Sequence, residues 1–270
     1  SRNDVLKSIV KTIDGGYAIL GYTQSNDGNI TTKTNENYDF WVLKYNANHA
    51  LLWSKTFGGT NDDSGADLIP TSDGGFALLG YSTSADLNVS QNNGLQDFWL
   101  IKIDGNGNLL WEKNFGGSSA DQGTDLIETS NGELIITGEV LSNDGDVIGN
   151  HGFTDAWVAK LDSNGNLLWQ NSLGGTMVDY FLAIAESDDG SFIATGNTFS
   201  DNGDVSNNLG ESDIWIVKIS NNGILEWEQT IGYDLNEIGN AILDIGEEIV
   251  ILGGIQVDHL RHGNSDAYIA

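Results

Sequence analysis

The chain has 270 residues, 39% hydrophobic and 19% charged, with 35 glycines, one proline and no cysteine. Eleven Lys and Arg stand against 39 Asp and Glu, a net charge of −28 that opposes binding to phosphate backbones or anionic lipid surfaces. Disulfides, Cys-ligated zinc and thiol catalysis are excluded, and no apolar run reaches the roughly 18–20 residues of a membrane-spanning helix.

Read along its length, the chain repeats itself. Trp41, Trp99, Trp157 and Trp215 recur every 58 residues, and Trp53, Trp111, Trp169 and Trp227 keep the same interval. An aspartate precedes each member of the first series by two residues: Asp39, Asp97, Asp155 and Asp213. A lysine follows each by three: Lys44, Lys102, Lys160 and Lys218. The spacing divides the chain into copies at about 1–59, 60–117, 118–175, 176–232 and an incomplete 233–270, in which Tyr268 takes the tryptophan position.

Each copy predicts four strands, as the second shows. Ser64–Thr71 reads as the first strand and Ser72–Gly75 as a tight turn. Phe76–Tyr81 is the second strand, and Ser82–Gln96 a long polar loop. Asp97–Ile103 is the third strand, Asp104–Asn108 a turn, and Leu109–Phe115 the fourth, released by Gly116-Gly117. The turns hold Asp, Asn and Gly, which tolerate the positive φ of short hairpins. In the third strand both alternating faces are apolar, as in Phe40, Trp41, Val42 and Leu43, so it is covered on both sides. Four-stranded units of about 58 residues with two-sided burial predict an all-β fold of β-propeller blades, about five copies in one repeat domain over 1–270. A β-solenoid is the competing architecture, with shorter rungs.

These motifs carry a resemblance. Asp97-x-Trp99-x-x-Lys102, Asn106-Gly107-x-Leu109-x-Trp111, Phe115-Gly-Gly117 and Thr71-x-Asp73-Gly-Gly-Phe76-x-x-x-Gly80 are similar to the SBBP-type repeats of secreted bacterial β-propellers. Such repeats are common in cell-surface and type IX-secreted proteins of Bacteroidota. The resemblance implies an exported, extracellular or cell-surface protein with an adhesion or surface-assembly role. No C-terminal secretion domain follows, and Ala270 falls inside the third strand of the fifth copy, so a piece of a longer protein is expected.

If the strands of a blade run up and down in order, the long loops share a face with the Gly-Gly junctions. Those loops are Gln24–Tyr38, Ser82–Gln96, Leu141–Thr154, Phe199–Ser212 and Gln256–Ser265. Binding resides most often on such loops, and the hairpin face is expected to be uniform and inert. Acids recur on the loop face: Asp4, Asp63, Asp121, Asp179 and Glu237 open the first strands, and Asp39, Asp97, Asp155, Asp213 and Asp266 the third. One reading makes them cation sites or paired catalytic acids. The other has them cap backbone N–H groups or pair with the recurrent lysines, since a buried lysine needs an anion.

Tyr38, Asp63, Asp121, Phe153 and Asp179 are the candidate ligand-binding residues of this face. The loop segments around Asp27, Asp144, Asp146 and Asp204 alternate Asp, Asn and Gly, a spacing that suits Ca²⁺, although no bidentate glutamate follows as in an EF-hand. Nucleophile elbow, zinc-binding helix and phosphate loop are all missing, and His49, His151, His259 and His262 fall at unrelated repeat positions. No catalytic residue is assigned. The expected function is a non-catalytic binding module that presents an acidic, loop-rich face to a protein partner. The alternative is a glycan-binding, calcium-dependent lectin, or a glycoside-cleaving enzyme using two acids of that face.

Overall fold

The computed structural model describes residues 2–30, 33, 35–246, 248–255 and 266–269, and every regular element among them is a β-strand. The predicted loop Gln256–Ser265, with His259 and His262, lies outside the described residues. Two compact units emerge. One comprises residues up to Leu134 together with Asp144–Asp146 and Asp162–Asn166. The other comprises Ile135–Asn143, Val147–Leu161 and the chain from Leu167 onward.

In the first unit β1 (Asp4–Lys11), β2 (Tyr17–Thr23), β3 (Asp39–Tyr45) and β4 (Leu51–Phe57) pair in sequence order as one antiparallel sheet. A second sheet repeats the order with β5 (Asp63–Pro70), β6 (Phe76–Ser82), β7 (Asp97–Ile103) and β8 (Leu109–Phe115). The unit ends with β9 (Asp121–Glu128), which packs on β5 and β6. The second unit takes up β10 (Leu134–Val140) from Ile135, then β11 (Asp155–Leu161) and β12 (Leu167–Leu173). It continues with the sheet β13 (Asp179–Glu186), β14 (Phe192–Thr198), β15 (Asp213–Ile219) and β16 (Leu225–Ile231). The last sheet is β17 (Glu237–Asp244), β18 (Ile249–Ile255) and β19 (Asp266–Ile269). Four-stranded meanders stacked through their faces are β-propeller blades, and the fold is of that class.

Stacking buries the third strands from both sides. All seven residues of β7 and of β11 are buried. Leu20, Phe40 and Val42 of the first sheet meet Leu68, Leu78, Trp99 and Ile101 of the second in one core, with Phe40 edge-on to Trp99 at 4.8 Å between ring centres. Each aromatic side chain so enclosed contributes roughly 2–3 kcal/mol of hydrophobic stabilisation. In the second unit Phe181 stacks on Trp215 with nearly parallel rings, at 5.2 Å.

The two tryptophan series do different work. Trp99, Trp157 and Trp215 are fully buried, and their indole N–H groups reach the fourth strand of their own blade, at Glu112, Gln170 and Glu228. Trp53 lies on an outer strand and donates instead to the Gly105 carbonyl in the next blade's hairpin, 3.2 Å away. Trp169 does the same to the Asn221 carbonyl at 3.1 Å. One series fills the space between sheets and the other links neighbouring blades.

A glycine in each second strand is a steric requirement. The first strand carries a bulge, at Gly65/Asp67 in the second blade. It presses the Ser64 carbonyl against Gly80, where a Cβ would also meet Gly65 Cα at 2.9 Å. Gly21 and Gly196 sit under the same kind of carbonyl.

Candidate functional site

The long loops and the junctions do share a rim. The Asp86 side chain of the second long loop accepts from Thr60 N–H of the junction at 2.8 Å. Asn61 N–H donates to Ser84 Oγ at 3.0 Å. Beneath these contacts the rim acids come together in pairs, one from a third strand and one from the next first strand, on either side of a junction glycine. Asp39 and Asp63 flank Gly58, Asp97 and Asp121 flank Gly116, Asp155 and Asp179 flank Gly174, and Asp213 and Glu237 flank Gly232. A Cβ on Gly58 would fall 2.8 Å from both Asp39 Oδ1 and Asp63 Oδ2, so only glycine leaves the carboxylates their space.

All eight acids are buried. In the first and third pairs the first-strand member is well supplied with donors: Asp63 accepts from Gly59 N–H at 2.7 Å, Ser84 Oγ at 2.9 Å and Ser82 Oγ. Asp179 repeats the set with Gly175 N–H at 2.8 Å, Ser200 Oγ at 2.7 Å and Thr198 Oγ1 at 2.5 Å. The member from the third strand is only half supplied. Asp97 Oδ2 takes Asn93 N–H at 2.6 Å, while Oδ1 of Asp97, Asp155 and Asp213 has no hydrogen-bond partner.

Burial dominates the protonation of these groups. It pushes Asp63 up to about 6 against three hydrogen bonds, helped by the neighbouring Asp39 charge. Burial likewise raises Asp97 to about 6, with Asp121 and Asp146 adding repulsion. Asp39, Asp155, Asp213 and Glu237 are shifted upward for the same first reason.

The expectation that rim acids cap backbone N–H groups therefore holds, whereas the pairing with recurrent lysines needs correction. Lys44 Nζ lies 2.9 Å from Asp14, Lys102 Nζ 2.7 Å from Asp73, and Lys218 Nζ 2.7 Å from Asp189. All three aspartates belong to the first hairpin turn, at the opposite rim. Each lysine sits near the hairpin end of its strand, as the register Ala18↔Lys44 shows, and its side chain reaches the closer turn. In the third copy Asn131 stands at the turn position, and Lys160 donates to Asn221 Oδ1. Asp73 is held down at about 2: burial raises it, but hydrogen bonds from Lys102, Thr71 and Gly75 N–H outweigh that.

Asp63, Asp121 and Asp179, taken from the sequence as ligand-facing, are fully buried. Tyr38 is half-buried and packs edge-on against Tyr22 at 5.1 Å. Phe153 is 70% exposed. Of the metal candidates, Asp144 accepts from Ser118 N–H at 2.7 Å, Asp146 from Gly116 N–H at 3.4 Å and Asp204 from Gly174 N–H at 3.2 Å. They tie long loops to junctions. Asp27 is exposed and accepts Ile30 N–H on its main-chain carbonyl. Among the described residues no three His, Asp or Glu side chains converge as metal ligands.

What the acids do not offer, apolar side chains do. On the rim of the second unit Phe153 stands beside Met177, 48% exposed, through the parallel bridge Thr154↔Val178. Leu209 and Tyr233 are exposed near the next bridge, Ser212↔Asn236. The hairpin rim is not featureless either: in the first unit a cavity of about 570 Å³ opens there between Ile13, Asp14, Lys44, Phe76, Asn106 and Glu128.

The fold has solved counterparts. A protein of unknown function from Dyadobacter fermentans superposes with a TM-score of 0.53 at 13% identity, over 99% of this chain and 80% of that one. A second of unknown function, from Bacteroides caccae, gives 0.44 at 11% identity over 88% and 65%. At such identities the likeness concerns the fold alone. In sequence the chain is similar to the regulatory protein FlaEY of Caulobacter vibrioides, 27% identical over 168 residues. That match covers 59% of this chain and spans 17% of the length of FlaEY. No family model matches the chain.

Proposed function

We propose that the chain is a non-catalytic binding module of an exported bacterial protein, docking a protein partner at the cell surface through its long-loop rim. The observation that carries this reading is the exposed apolar set Phe153, Met177, Leu209 and Tyr233 on the rim of the second unit. Solvated loops have no folding reason to display such side chains, and exposed apolar patches rimmed by polar groups mark contact surfaces. Two of the four are also departures from the repeat. Met177 replaces the Asn61 or Ser119 of earlier junctions, and Tyr233 replaces the second junction glycine. The acidic loops around them, with a net charge of −28 on the chain, favour a partner with a basic contact face. The SBBP-type repeat pattern supports export and the Bacteroidota setting, including type IX secretion.

The test compares wild type with the pair Phe153→Ser and Met177→Ser in cross-linking to proteins of the native cell envelope, alongside a glycan array. One cross-linked partner, lost in the pair while the melting temperature stays put, is the expected result. Equal capture by both proteins would sink the reading. Glycan binding abolished by the same substitutions would replace it with the lectin reading, since Phe153 and Tyr233 offer exposed rings on which sugars stack.

A further inference from the structure

We propose that the second blade junction binds a hard divalent cation, Ca²⁺ by chemistry, between the Asp97 and Asp121 carboxylates. At the first junction the chain fills the corresponding place itself. Lys33 Nζ, on a side chain with no exposed surface, lies 3.0 Å from Asp39 Oδ1 and also donates to Asn35 Oδ1 and the Asn37 carbonyl. A shift of 58 residues carries these three oxygens onto Asp97 Oδ1, the Asn93 side-chain amide and the Leu95 carbonyl. The backbone keeps its course: Asp63 N–H bonds to the Tyr38 carbonyl and Asp121 N–H to the Gln96 carbonyl, both at 2.7 Å. The ammonium is what changes, because Gln91 occupies the lysine position on an exposed stretch of loop.

Asp97 Oδ1 is thus a buried acceptor without a donor, in a place where the preceding copy holds a positive charge. It crowds the place where a Gly116 Cβ would stand, as does Asp121 Oδ2 at 2.9 Å, which also accepts Gly117 N–H. Asp146, hydrogen-bonded to Gly116 N–H, adds a third negative charge that pushes Asp97 upward. A carboxylate oxygen without solvent exposure or donor, set beside a second buried carboxylate, is costly, and a divalent ion neutralises both groups. Ca²⁺ accepts carboxylate, amide and backbone carbonyl oxygens in irregular geometry, whereas Mg²⁺ demands an octahedron.

The remaining junctions fit the same logic. At the third, the His151 imidazole stands in the Asn93 position, with Nδ1 2.7 Å from Asp155 Oδ2. At the fourth, Leu209 stands there and offers no side-chain oxygen. Only the second junction combines an unpartnered Asp oxygen with the amide that helps to cradle the lysine in the first.

Calcium titration of the metal-stripped chain, followed by calorimetry and by Tb³⁺ luminescence excited through the nearby Trp99, tests the site. Wild type is expected to bind at or below about 1 mM, the range of extracellular calcium modules. Asp97→Asn should lose one ion. Gln91→Lys, at an exposed position that should not disturb folding, should lose the same ion and melt higher than wild type in EDTA. Absence of any ion at that concentration would overturn the proposal, as would unchanged binding in both variants. A wild type that binds no ion, yet gains stability on acidification, would assign the pair to a shared proton instead.

Discussion

The two rims of the blades use the same side chain in opposite electrical states. At the hairpin rim Asp14, Asp73 and Asp189 are about half exposed, take a lysine ammonium each and are held below the ordinary carboxylate range. At the loop rim Asp63 and Asp97 are fully buried beside another acid and are pushed up to about 6. The repeat supplies one lysine per blade, and strand geometry delivers it to the hairpin end. The loop rim is left with paired acids: Lys33 meets the first pair, the His151 ring lies against the third, and on the proposal above an ion meets the second.

The largest way to break this contrast is Asp63→Ala, which strands the donors of Gly59, Ser82 and Ser84 together. A loss of about 4 kcal/mol is expected from three buried donors left unpaired, measurable by urea unfolding. Next comes an asymmetry at the other rim. Asp73→Ala leaves the nearly buried Lys102 ammonium without its anion and should cost about 2 kcal/mol. Lys102→Met leaves only a half-exposed carboxylate behind and should cost about 1 kcal/mol or less. Equal losses would show that the pair is not screened unequally at its two ends.

Acidity sharpens the comparison next. Asp63 and Asp97 bind their protons more tightly in the folded state than in the unfolded chain, whose Asp value is 3.8. Folding therefore takes up protons between about pH 4 and about pH 6, and this contribution to stability grows as pH falls through that window. The hairpin acids act in the opposite sense: their contribution is present above 3.8 and is lost below it. In EDTA the melting temperature should rise by roughly 5 °C from pH 7.5 to pH 5, then drop below pH 4. A monotonic fall from pH 7.5 downward would contradict the burial of the rim acids. Calcium, by competing with protons at Asp97, should shrink the rise.

Much of this architecture was legible from periodicity, because two-sided apolar strands such as Phe98–Ile103 and turns built on Asp-Gly leave few alternatives. The boundaries moved where polar side chains act as strand residues. Ser82 reads as the start of a loop, yet it ends β6 because its hydroxyl serves Asp63, 19 residues earlier. The lysine partners were missed since the rim acids are the more conspicuous series. The signal lay in the turns, where Asp14, Asp73 and Asp189 precede their lysines by 29 or 30 residues. Burial of Asp63, Asp121 and Asp179 was not legible at all, because it depends on how close the Gly-Gly junction brings two strands from successive blades. Phe153 and Met177 could be suspected as a loop aromatic and a break in the repeat, but their adjacency needed the bridge between Thr154 and Val178.

The smallest effect expected is at Asp144. Its carboxylate is exposed, lies outside the buried pairs and meets the junction at Ser118, whose N–H and hydroxyl together keep it below the ordinary Asp range. Water replaces that acceptor readily, so Asp144→Ala should cost about 0.5–1 kcal/mol in urea unfolding. Calcium titration of the same variant then separates two sites of similar composition at the same junction. If the ion sits at the Asp97–Asp121 junction, Asp144→Ala leaves its affinity within about twofold, a coupling of less than about 0.5 kcal/mol. A loss of the ion would move the site outward to the loop and away from the buried pair.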